Sequence, residues 1–193
     1  MNFVQLWLLG IIHPSRAFDE LRSKPAPSWG LWAILVRFVS ISLTTYVAQV
    51  LLDRTQFAPS YLTFLSTDDY YAAEIFFGPV FGLAAWLLGS AVIHLCLRLV
   101  RRPSSFDWIL NVAGFSLLIV TPAVWFLDWL AIVLNVFGVG VIPVIHVLLS
   151  VWEVFLFGIG LSKMEGLRFW PACVLGLMFM GGVYIPLAIL FVR

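Results

Sequence analysis

The sequence predicts an all-α protein: a polytopic transmembrane helix bundle of about five spans, plus a short N-terminal interfacial helix. Three observations predict it. The chain is 62% hydrophobic and 11% charged, where soluble domains average roughly 45–50% apolar and about 25% charged. Five of its apolar stretches reach the ~20 residues that a bilayer-crossing helix needs. Its basic residues fall almost wholly on one side of those stretches, as the bias of cytoplasmic loops toward Lys and Arg requires. Backbone groups in hydrocarbon must be satisfied within the segment, and the stretches lack the alternation of a barrel strand, so each is expected to be a helix.

Met1–Ile12 is apolar but too short to cross. With no cationic start and no small-residue cleavage site, it does not read as a secretory signal. An amphipathic segment in the interface fits better, with Phe3, Leu6, Trp7 and Ile11 inward. Pro14 suits the first turn of a short polar helix through Arg16, Asp19, Glu20 and Leu21, which Pro25 and Pro27 end. The first span is expected at Trp29–Leu52, the second at Ile75–Leu99 and the third at Phe106–Phe126. The fourth is expected at Val141–Leu161 and the fifth at Phe169–Val192. Trp129–Phe137, after Asp128, is too short for a span of its own and reads as an interfacial or re-entrant piece, with an extension of a neighbouring span as the alternative. This divides the chain into an N-terminal segment, residues 1–28, and a membrane domain, residues 29–193.

Lys and Arg set the orientation. With the N-terminus cytoplasmic, the inner segments carry Arg16, Arg22, Lys24, Arg98, Arg101, Arg102, Lys163 and Arg168, and the outer ones Arg54 and Arg193. The loop after the first span is acidic, with Asp53, Asp68, Asp69 and Glu74. The reading is a multi-pass protein of the cell membrane with its C-terminus outside. Trp29, Trp108 and Trp170 would mark inner ends, and Trp125 and Trp129 an outer one. Ser104, three residues before Asp107, resembles a capping box opening the third span, which makes Asp107 a cap. A net charge of +1 without a basic stripe argues against a nucleic-acid partner. Cys96 and Cys173 fall in apolar runs and read as packing residues.

An ionisable residue inside a span is a functional candidate by default. Arg37 lies ~12 Å from the inner end of the first span, and Glu153 ~15 Å deep in the fourth, at ~1.5 Å rise per residue. A buried charge needs a partner, and each is the other's best candidate, as a structural ion pair or as a polar site. His146 and Ser150 share roughly one face with Glu153. These four form the candidate binding level, and no catalytic residues are assigned. Small and polar stripes run along the spans, including Ser40 and Thr44, Gly78, Gly82 and Gly89, and Asn111 and Gly114. Such stripes let helices approach closely in lipid, and self-association is compatible with them. His94 and His146 are expected to differ in height by roughly 15 Å, too far to share a metal. No Gly-x-Ser-x-Gly, HExxH or phosphate-cradling loop occurs. No metal or cofactor is expected.

Three short motifs, in order, carry a resemblance: His13-Pro14-Ser15-Arg16-Ala17-Phe18; Glu74-Ile75-Phe76-Phe77-Gly78-Pro79; and Gly114-Phe115-Ser116 through to Pro122. The chain resembles the Yip family, five-span membrane proteins named for binding Ypt/Rab GTPases, in its compact prokaryotic form. The resemblance implies a non-enzymatic scaffold that organises membrane lipids or membrane proteins. Its motif residues here are Glu74, Gly78, Pro79, Gly114, Ser116 and Pro122. The acid stands four residues before the glycine instead of three, Phe77 replaces a tyrosine, and Ala113 replaces an aromatic residue. These departures leave Rab-type GTPase binding without support. The rival reading is a small transporter or channel using the Arg37 and Glu153 level.

Overall fold

The computed structural model describes residues 1–23, 28–55, 61, 64–138 and 140–191. Two short helices, α1 (Phe3–Ile12) and α2 (Pro14–Ser23), precede the bundle. The first span comprises α3 (Ser28–Ile41), a π-helical turn Ser42–Tyr46 and α4 (Val47–Leu51). The next three are α5 (Tyr70–Leu99), α6 (Phe106–Val133) and α7 (Ile142–Glu165). The last comprises α8 (Phe169–Phe179), a π-helical turn Met180–Tyr184 and α9 (Ile185–Phe191). Among the described residues, five helical segments are therefore long and apolar enough to cross a membrane. Pro25, Pro27, Lys24, Val192 and Arg193, used in the sequence reading, lie outside the described residues.

A capping box opens α1. The Gln5 N–H donates to Asn2 Oδ1 at 2.9 Å, and the Asn2 N–H donates to Gln5 Oε1 at 3.0 Å. Leu6 and Gly10 are buried, with Phe3 and Trp7 packed beside them, but Ile11 points outward. Gly10 takes the inward place expected of Ile11, because a Cβ there would meet the Ile119 side chain at 2.7 Å. Helix α2 has Pro14 in its first turn and buries Ala17, Phe18 and Leu21, one face of a polar helix. Lys163 Nζ lies 2.9 Å from Asp19 Oδ2, and Arg22 Nη1 donates to the Lys163 carbonyl at 3.1 Å. These contacts seat α2 on the end of α7.

Two helix boundaries differ from expectation for one reason. Hydropathy reads an acid as a span end, but a bundle can bury one. Glu74 lies inside α5, which starts at Tyr70. Asp128 lies buried inside α6, which runs on to Val133, so Trp129–Val133 is helix continuation and not a separate interfacial or re-entrant piece. Separately, helix α7 runs past its expected end at Leu161 to Glu165. With α5 starting at Tyr70, Pro79 stands in the helix interior. The cap of α6 is Ser105, not Ser104. Asp107 sits in the first turn, where a negative charge is favourable.

The interior proline of α6 is compensated from outside. Pro122 has no N–H to give the Leu118 carbonyl, and the Trp7 indole of α1 donates to that carbonyl at 3.0 Å. Glycines set the closest helix crossings. A Cβ on Gly114 would lie 2.5 Å from the Gly30 carbonyl oxygen, and the Gly30 N–H donates to Asn111 Oδ1 at 2.7 Å. Helices α3 and α6 thus meet backbone to backbone. Phe38 docks on Gly82 and Phe179 on Gly89. Helices α7 and α8 pack through Gly158 on Cys173 and Phe157 on Gly176, with the rings of Phe155 and Phe169 stacked. All these α7–α8 contacts lie toward the Lys163 end. Beyond the π-turn, α9 packs on α5. The fourth and fifth spans therefore diverge toward the end where α7 begins.

Candidate functional site

That divergence leaves a cavity of about 430 Å³ between the spans. Its deep end is charged. Arg37 Nη1 lies 2.7 Å from Glu153 Oε1, with side chains 5% and 1% exposed. The guanidinium also donates to the Leu117 carbonyl, which the Thr121 hydroxyl reaches at 3.1 Å. Tyr184 lines the same cavity. A guanidinium carries five donors and cannot shed its charge, so a buried one needs several acceptors. Helix α6 supplies one at Leu117, one turn before Pro122.

Nearer the mouth, His146 Nε2 lies 2.9 Å from Asp128 Oδ1. The histidine is 45% exposed and the aspartate 3%. Two further polar groups line the wall: the Ser150 hydroxyl, and Thr45, whose buried Oγ1 has no partner among the described residues. The rest is apolar or aromatic. Phe38, Phe81 and Tyr184 form one ring cluster, with centroids 5.3–6.3 Å apart, and Tyr46 stacks on Tyr71 at 6.3 Å. Ile142, Val147 and Ile189, at the facing edges of α7 and α9, also line the cavity. Val147 and Ile189 are exposed, so the mouth opens sideways between these helices.

Both π-helical turns border this cavity. Ser42–Tyr46 contributes Thr45 and Tyr46, and Met180–Tyr184 contributes Tyr184. The first follows a run of hydroxyls that bond backward along the helix. Ser40 Oγ donates to the Arg37 carbonyl at 2.8 Å and Thr44 Oγ1 to the Ser40 carbonyl at 2.7 Å. The second precedes Pro186, which cannot continue the regular ladder. Such wide turns redirect side chains that a regular helix would aim elsewhere.

Arg37, Glu153, His146 and Ser150, singled out by sequence, all line this one cavity. His94 stands apart at the other end of the bundle, its Nδ1 2.9 Å from Ser104 Oγ. Of the motif residues, Gly78 lines the cavity and lets the first span approach, since a Cβ there would meet Ser42 Oγ at 2.9 Å. Glu74 is buried one turn earlier, with Tyr70 and Tyr46 as polar neighbours. Pro79 follows Gly78. Gly114 makes the α3 crossing, Ser116 is buried on α6, and Pro122 frees the carbonyl that Trp7 takes. Sequence reasoning missed Asp128, Thr45, Tyr46, Tyr71 and Tyr184. Asp128 carried a usable signal: it lies 18 residues before His146 across a short connection, the spacing of facing positions on antiparallel helices.

The arrangement suits recognition of a molecule with an apolar body and a polar end, because polar groups converge at few points in a largely apolar wall. The family model for the Yip1 domain matches residues 9–191 of the chain. No curated protein and no solved structure matches it.

Proposed function

We propose that this chain, which belongs to the Yip1 domain family, is a non-enzymatic membrane scaffold that holds a lipid-like amphiphile in the cavity between its fourth and fifth spans. One observation carries the reading: the cavity is apolar along its walls, charged at its deep end, and open sideways. A molecule already dissolved in the bilayer could enter without crossing water. Its polar end would meet Tyr184, Thr45 and the two ion-paired groups, and its apolar part would lie along Phe38, Phe81 and Val147.

The test is native mass spectrometry of protein extracted gently from its membrane. Ser150→Trp places an indole in the cavity from a half-buried position and is expected to reduce the co-purifying amphiphile while leaving the thermal unfolding midpoint within a few degrees. Retention equal to the parent protein would refute the reading.

The transporter reading is favoured by one observation, the two π-helical turns at the cavity, because such turns are common where helices distort for function. It predicts that a cysteine at Ser150 reacts with a membrane-impermeant thiol reagent applied from each side in turn. The scaffold reading, with a mouth that opens into the bilayer, predicts protection from the reagent on both sides. Orientation belongs to the same proposal: the end carrying Arg101 and Lys163 faces the cytoplasm of the cell membrane, by the Lys and Arg bias.

A further inference from the structure

At the end of the bundle opposite the cavity mouth, a second crevice of about 440 Å³ lies between α5 and α8. Arg102 and Arg168 line it, over a floor that includes Leu97, Val100 and Leu175. No ion-pair partner occurs for either arginine among the described residues. Glu165, at the end of α7, accepts the Ser105 N–H at 3.0 Å. No side chain caps the N-terminus of α8, which begins directly after Arg168. Cationic side chains, an uncapped helix start and an apolar floor together describe a site for a phosphate that carries an acyl chain.

The backbone sets where Arg102 stands. Three helices end in the same Schellman turn, with a residue at positive φ after the cap: Asp53 (φ 53°), Asn135 (φ 57°) and Arg101 (φ 58°). Each has the paired bonds of that motif; here the Arg102 N–H donates to the Leu97 carbonyl and the Arg101 N–H to the Arg98 carbonyl, both at 2.9 Å. Asp and Asn tolerate this conformation, but a long side chain does so at a cost. The turn at Arg101 folds the chain back over the end of α5, and this places Arg102 at the crevice.

We propose that this crevice binds the phosphate headgroup of an anionic phospholipid, held between Arg102 and Arg168. The acyl chain lies along Leu97 and Leu175. The site is independent of the amphiphile cavity, and the Ser150→Trp variant leaves it intact.

The experiment reconstitutes the full chain in nanodiscs of phosphatidylcholine containing a minor fraction of phosphatidylglycerol. Native mass spectrometry then counts the phosphatidylglycerol that survives ejection. The double change Arg102→Gln with Arg168→Gln is expected to weaken retention roughly thirtyfold, at the ~1 kcal/mol that each cation near a lipid headgroup contributes. The charge-matched pair Arg16→Gln with Arg98→Gln is expected to retain the lipid. Equal loss in both pairs would show a diffuse field and overturn the site. Arg101→Gly is expected to raise the unfolding midpoint and keep retention, because glycine preserves the turn; lost retention there would also overturn it. Inorganic phosphate at millimolar concentration is expected not to displace the lipid. Displacement would mean that the site takes free phosphate instead.

Discussion

Removing one half of the Arg37–Glu153 pair should be far worse than removing both. The two side chains are 5% and 1% exposed and 2.7 Å apart. Breaking a buried pair leaves an uncompensated charge, which costs about 3–5 kcal/mol, whereas replacing the whole pair by apolar residues is close to neutral. Arg37→Leu leaves a carboxyl group that can become neutral by taking up a proton. Glu153→Leu leaves a guanidinium that cannot lose its charge and retains only the Leu117 carbonyl as an acceptor. Glu153→Leu should therefore be the more damaging single change. At about 2–4 °C per kcal/mol for a chain of this length, it should lower the unfolding midpoint by roughly 6–20 °C. The double change should recover most of that, giving a coupling energy near the upper end of the usual range, about 3 kcal/mol. The assay is a double-mutant cycle in a single detergent, with tryptophan fluorescence as the unfolding signal. Additive losses would refute the pairing, and an equal loss in the two single variants would refute the argument about which charge can be shed.

Other consequences can be checked in the same detergent. Gly114→Ala puts a Cβ 2.5 Å from the Gly30 carbonyl oxygen, so the midpoint should fall by the equivalent of 1–3 kcal/mol or more. Gly182→Ala meets nothing within 4 Å and should be neutral or stabilising. Trp7→Phe should cost about 1 kcal/mol by leaving the Leu118 carbonyl unpaired. In a Pro122→Ala background, where residue 122 can supply that N–H, the same change should cost less. Accessibility reporters at Ser66 and at the C-terminus should both read non-cytoplasmic; a cytoplasmic signal from either would reverse the proposed orientation.

Much of the plan is legible in the sequence because lipid imposes it. Span length, helicity and the small-residue stripes follow from hydrocarbon thickness and backbone satisfaction. Matching depths along two helices were enough to bring Arg37 and Glu153 together. Glu74 and Asp128 misled the reading in one way. A single-sequence scan counts an acid as the edge of a span, yet each is buried by side chains from other parts of the chain. The π-helical turns were invisible for a different reason. They arise where hydroxyls or a proline compete with the ladder, and many serines and prolines do so without widening a turn. Tyr46 and Tyr184 both lie in those turns and line the cavity.

The two ends of the bundle are built on opposite plans, and the candidate sites follow from this. Toward the Lys163 end, glycines lock α7 onto α8, and α2 is bonded across α7 through Asp19 and Arg22. Toward the Ile142 end, both the first and the last span change winding, and α9 leaves α7 for α5. A polar level in a membrane bundle is tolerable only if its charges are held rigidly, since each has few alternative partners. Arg37 meets this need from the locked half: its acceptor at Leu117 lies on α6, the helix fixed to α3 at the Gly30–Gly114 crossing. The loose half supplies the opening and the locked half supplies the anchor. A variant that loosens the crossing, such as Gly114→Ala, should therefore weaken amphiphile retention although residue 114 does not line the cavity. Unchanged retention would show that the crossing does not position the site.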